Sequence, residues 1–144
     1  MKKILLLLLI TFFLYGISDK NADFMQAHAD QSTTDNRAVT NAFKNRQSNI
    51  QVAGVGKVIK NLADDTNGSQ HQRFILKLSS GQTVLIAHNI DLAPRINGLN
   101  KGDTVYFNGE YEWNEKGGLV HWTHHDPRRR HIGGWLKHNG ATYQ

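Results

Sequence analysis

The run His121-Trp122-Thr123-His124-His125-Asp126-Pro127-Arg128-Arg129-Arg130-His131 gathers four of the chain's 8 histidines, an aspartate and three arginines. Imidazole exchanges a proton near neutral pH and ligates divalent metals through a neutral ring nitrogen. Guanidinium grips carboxylate and phosphate in two parallel hydrogen bonds. The residue types therefore suit metal, phosphate or proton chemistry, and they do not choose among these. His124 and His125 are adjacent, so an extended strand points them apart and both reach one ion only where the chain turns. A zinc or other divalent site would draw on His88, His121, His124, His125 and Asp126, with His71 and Asp91 as further donors. No H-E-x-x-H spacing occurs, and the chain has no Cys.

The same residues admit three functional readings. The first is a binding module for an anionic ligand such as an oligosaccharide, a nucleotide or a nucleic acid. Trp122 and Tyr106 would stack on it, and Arg73, Arg128, Arg129 and Arg130 would meet its charge. Trp135, Tyr143 and Arg95 are secondary candidates. The second reading is a metal-dependent, phosphodiesterase-like hydrolase, in which His71 or His125 beside Asp64, Asp65, Asp91 or Asp126 serves as base and orienter. No G-x-S-x-G nucleophile appears, so covalent catalysis is disfavoured and whether the chain is an enzyme stays open. The third is a structural or protein-interaction module, with His121 paired to Glu110 and the tryptophans filling a core.

The elements that must position these residues follow from the hydrophobic period. Ala38, Val39, Ala42, Phe43 and Arg46 fall at helical spacing, which predicts a short helix over residues 35–47 capped by Thr34 or Asp35, with Phe43 docking on the domain. From Gln51 the period becomes two. Strands are expected over 52–62, 73–78, 82–88, 104–113 and 118–123. Asp64-Asp65, Asn67-Gly68, Ser79-Ser80-Gly81 and Lys101-Gly102-Asp103 mark the turns between them. Gly54 and Gly56 inside the first strand suggest a sharp coil. Leu92, Ile96 and Leu99, with Pro94 in the first turn, predict a helix over 91–99.

Strand 104–113 alternates cleanly, with Val105, Phe107, Gly109, Tyr111 and Trp113 on one face and Thr104, Tyr106, Asn108, Glu110 and Glu112 on the other. If Trp113 pairs with Gly118 across the Asn114-Glu115-Lys116-Gly117 turn, then Tyr111 meets Val120, Glu110 meets His121, and the Trp122 indole covers Gly109. The element order predicts an all-β fold with a minor helical part. It is a small five-stranded OB-fold-like Greek-key barrel with one short helix between strands 3 and 4. Two turn signals around Trp135 suggest that the tail folds back on this barrel.

Residues 1–18 read as a signal peptide, with Met1-Lys2-Lys3 ahead of an apolar run over residues 4–17. The run is shorter than the roughly 20 residues of a membrane span. The chain is therefore expected to be exported, periplasmic or extracellular, without stable membrane insertion after cleavage near Ser18. Ala27-His28-Ala29 is a second candidate cleavage site. Residues 19–49 form a polar lead with the short helix, and residues 50–144 the barrel domain. Without Cys, the fold must hold by burial alone. The net charge of +5 includes Lys2 and Lys3 of the signal and the local Arg128 to Arg130 patch, so it argues for a basic spot and not for a basic field.

Asp64-Asp65, His71-Gln72-Arg73-Phe74, His88-Asn89-Ile90-Asp91-Leu92-Ala93, Gly109-Glu110-Tyr111-Glu112-Trp113-Asn114 and the run from His121 to Pro127 together resemble an uncharacterised family of small secreted bacterial proteins, a domain of unknown function. The resemblance spans roughly residues 50–143. It implies export, bacterial origin and a small β-rich domain, and it brings no catalytic residues with it.

Overall fold

Along β4 (Thr104–Glu112) buried and half-buried residues alternate without a break, placing Val105, Phe107, Gly109 and Tyr111 inside. That period of two dictates a strand with one face in a core. The computed structural model describes residues 35–144, so the expected signal peptide and residues 19–34 of the polar lead lie outside the described residues. The elements are α1 (Arg37–Lys44), β1 (Ile50–Asn61), β2 (His71–Lys77), β3 (Thr83–Asn89), β4, β5 (Leu119–His121), β6 (Trp135–His138) and β7 (Ala141–Tyr143). Residues 35–144 belong to one compact unit, which includes α1.

The strands run β1-β2-β3-β5-β4, and β4 pairs back onto β1 to close a five-stranded barrel. β3 and β5 are parallel, while β1–β2, β2–β3, β4–β5 and β4–β1 are antiparallel. This is the OB-type order expected from the sequence. Closure depends on β1, which pairs with β4 from Ile50 to Lys57 and with β2 from Lys57 to Asn61, with a register shift between Val58 and Lys60. Gly54 and Gly56 lie in the β4-paired half, where a Cβ would press on Phe107 and on Leu76 respectively. Small residues let the coiled strand approach the core.

The core gathers Phe74, Leu76, Ile86, Phe107, Tyr111, Val120 and Leu136, all fully buried. Helix α1 adds Val39 and Ala42 to it, with Phe43 packed against its edge. Its start differs from the sequence expectation. Asn36 occupies the cap position but makes no side-chain cap bond. Its amide oxygen instead accepts from Val55 N–H at 2.9 Å, and its amide nitrogen donates to Ser79 Oγ at 3.2 Å. The Asn36 side chain thus pins the helix to the barrel.

The expected helix over 91–99 does not form. Turns fill the segment between β3 and β4, and the described helix lies before β1. The physical reason is Gln72 on β2. Its buried amide donates to Ile96 O at 2.9 Å and accepts from Ile96 N–H at 2.9 Å, occupying both backbone groups that a helix would need. Ile96 and Leu99 are buried as their pattern required, while Leu92 stays exposed.

The β4–β5 register matches the hairpin expectation, with Tyr111 opposite Val120 and Glu110 opposite His121. Gly109 is covered differently from expected. The His121 carbonyl and the Thr123 and Val120 side chains occupy the space of a Cβ there, in place of the Trp122 indole. Trp122 departs from the strand at φ +49°.

β6 then resumes on the same edge of β4, pairing Trp135 with Asn108, Leu136 with Phe107 and Lys137 with Tyr106. β5 and β6 are therefore one interrupted strand. Residues 122–134 form an Ω-like loop that leaves and re-enters opposite the single residue Gly109.

Candidate functional site

The loop base is closed by backbone. Gly134 N–H donates to His124 O at 3.0 Å, and a Cβ on Gly134 would overlap both the Trp122 and the Asn108 carbonyls. Inside the loop, Asp126 acts as the organiser. Its Oδ1 accepts from Arg128 N–H at 2.9 Å, and its Oδ2 accepts from Arg130 N–H at 2.6 Å and His131 N–H at 2.9 Å. These bonds, the Arg128 one foremost, hold the Asp126 carboxyl below the usual carboxylate range. Pro127 stiffens the turn, and Arg129 N–H donates to Asp126 O.

Beneath the loop lies His88, fully buried. Its Nε2–H donates to Pro94 O at 3.1 Å, and its Nδ1 accepts from Thr123 Oγ1 at 2.9 Å. Burial pushes the His88 pKa down to about 4. It is a neutral structural strut between the loop and the β3–β4 connection.

A cleft of about 730 Å³ opens between the loop and the β2–β3 end of the barrel. Trp122, Arg128, Arg130, His121, His124 and His131 wall it on the loop side, and His71, Asn89 and Asp91 face them. The Trp122 and His131 rings stack at 3.8 Å between centroids, 14° from parallel. His71 Nδ1–H donates to Ser69 O and His124 Nδ1–H to His125 O, which leaves Nε2 as the lone-pair nitrogen of each neutral ring.

On the outer face of β4 and β5, His121 Nε2 stands 3.5 Å from Glu110 Oε1 and 3.9 Å from Glu112 Oε1. His131 Nδ1 stands 3.5 Å from the other Glu110 oxygen. Burial holds the His121 imidazole below its ordinary range, against the opposing pull of the two glutamates.

The residues expected from sequence are thus sorted by place. Of the ligand-binding set, Trp122, Arg128 and Arg130 line the cleft. Arg129 is exposed beside it on the loop. Arg73 is elsewhere on β2, donating to Ala63 O and facing Asp65 at 4.0 Å. Tyr106 lies on β4 opposite Lys137 of β6. Of the metal set, His121 and His124 line the cleft, and Asp126 lines it with both oxygens engaged by the loop backbone. His88 has both ring nitrogens engaged, and His125 is exposed.

Among the described residues, the group whose ligand atoms converge within 4.8 Å is Glu110, Glu112 and His121. The signal for Glu112 was present in the sequence. It shares a strand face with Glu110, and the hairpin register brings His121 to that face.

Residues 23–144 match the profile of the family described as "Protein of unknown function (DUF3465)", and the chain belongs to that family. No curated protein shows significant similarity to it.

Proposed function

We propose that this domain is an exported binding module whose cleft receives an anionic ligand, of the class of nucleotides, oligonucleotides or acidic oligosaccharides. One observation carries the reading. The Ω-like loop turns Arg128, Arg130 and the stacked Trp122–His131 pair toward one cleft, with His71 and Asn89 opposite. The two carboxylates on that cleft oppose an anion weakly. Asp126 is bonded by three backbone N–H groups, and Asp91 Oδ2 accepts from Gln70 N–H at 2.8 Å. Arginine forks suit phosphate or carboxylate, and a flat indole suits a base or a sugar face.

A fluorescent single-stranded oligonucleotide and an acidic oligosaccharide, titrated across a salt series, test the reading. We expect affinity that falls with salt, with a log–log slope of about −0.7 per phosphate engaged on the oligonucleotide. The double substitution Arg128→Ala/Arg130→Ala should flatten that slope. Trp122→Ala should weaken binding by about 1–3 kcal/mol, and Arg73→Ala, away from the cleft, should leave it unchanged. Absence of binding by both probes at low salt would sink the reading. Export rests on the N-terminal composition. It is checked by the N-terminal mass of the protein recovered outside the cytoplasm, expected to begin next to Ser18.

A further inference from the structure

We infer that Glu110, Glu112 and His121 form a divalent-metal site, open on the cleft side, that prefers a nitrogen- and oxygen-loving ion such as zinc. The inference stands apart from the anion-binding reading, because it rests on the outer face of β4 and β5 and not on the arginines.

Strand geometry supplies the convergence. Glu110 and Glu112 are two residues apart on β4, so both side chains leave the same face. Glu110 pairs directly with His121 on β5, which brings the imidazole to that face as well. His121 Nε2 is almost wholly removed from water and has no hydrogen-bond partner. A buried ring nitrogen without a partner is costly. Here it points between two carboxylate oxygens, at 3.5 and 3.9 Å. Those separations are too long for good hydrogen bonds. All three ligand atoms lie within 4.8 Å of one another, and ligand atoms about 2.0–2.1 Å from zinc at tetrahedral angles stand about 3.3 Å apart. A modest contraction would close the site.

The surroundings fit the same assignment. Two glutamates half-buried side by side repel one another, and a dication between them removes that cost. His131 Nδ1 faces the second Glu110 oxygen at 3.5 Å, near enough for the same contraction to bring it into a hydrogen bond that orients the carboxylate. Three protein ligands leave at least one coordination position for water or a ligand oxygen. His121 and His131 both line the cleft, so that position is within reach of whatever the cleft receives.

The test is zinc alone, titrated into the intact, tag-free chain after chelator stripping, with Glu110→Gln, Glu112→Gln, His121→Gln, His131→Ala and the control His124→Ala/His125→Ala. We expect one equivalent bound at micromolar Kd or tighter. Each of the three ligand substitutions should weaken binding by about 100-fold and His131→Ala by about tenfold, with the control unchanged. In the unsubstituted protein, zinc should move the His121 ring resonances before those of His124 and His125. This readout decides the matter should a variant fail to fold. A Kd weaker than about 1 mM, ligand variants that bind as the parent does, or binding lost only in the His124/His125 control would each overturn the assignment.

Discussion

His88 shows how one residue couples this site to solution conditions. Its folded pKa of about 4 lies below the ordinary histidine value of 6.5 because burial penalises the charged ring, a cost that its hydrogen bonds to Pro94 and Thr123 offset only in part. Between those two values the unfolded chain takes up a proton that the folded chain refuses. The His88 contribution to stability is therefore complete above about pH 6.5, declines as the pH falls, and stops declining below about pH 4, with a loss from this group of about 3 kcal/mol. Urea unfolding at pH 7 and pH 4.5 measures it. His88→Gln keeps one donor and one acceptor but cannot titrate, so its stability should change much less over the same interval. An equal pH dependence in that variant would show that His88 is not the group responsible. Asp126 is the second decisive residue. Asp126→Ala leaves the N–H groups of Arg128, Arg130 and His131 without an acceptor. Hydrogen exchange at those three amides should accelerate strongly while the barrel strands stay protected.

Elements explain why some of this was legible in the sequence and some was not. The strands and their inward residues followed from period two. The β4–β5 register followed from the turn at Asn114 to Gly117, because a hairpin turn fixes pairing. The helix expected over 91–99 failed because its apolar spacing is equally satisfied by a looped segment clamped by Gln72, a contact across 24 residues that no local pattern announces. The site was half legible. The cluster from His121 to His131 was visible, but its sorting depends on which ring nitrogens and carboxylate oxygens the backbone already uses. Asp126 and His88 read as ligands by type, and the loop takes up their bonding capacity. Gly109 is the element-scale point on which the loop depends, since the chain leaves and rejoins the edge of β4 opposite it. Gly109→Ala would drive a methyl group into the His121 carbonyl and the Thr123 and Val120 side chains. Overpacking of this kind costs about 2 kcal/mol, which thermal melts should register. The same substitution should loosen the His121 register and weaken any zinc binding.

At the scale of the whole molecule, the topology separates scaffold from site. The barrel closes through β1–β4, and its core draws on α1 and on β1 to β6. The loop between β5 and β6 contributes Thr123, His124, Asp126 and Gly134 as buried residues, whereas residues 127–133 are all exposed. Because β5 and β6 lie on one edge of β4, and His124 O already accepts from Gly134 N–H, residues 125–133 can be replaced by Asn-Gly. The His124–Gly134 bond then becomes the closing bond of a two-residue turn. Shortening the loop lowers the entropy of closure by about 1 kcal/mol, which offsets part of the Asp126 bonding that is lost. The excised protein should therefore fold with the parent's strand signature in circular dichroism and a thermal midpoint within a few degrees. It should lose anion binding outright with Arg128 and Arg130. Zinc affinity should fall by only about tenfold, because Glu110, Glu112 and His121 remain and only the His131 support is gone. An unfolded product would show instead that the loop is part of the scaffold, and that its histidines and arginines owe their arrangement to holding the barrel together.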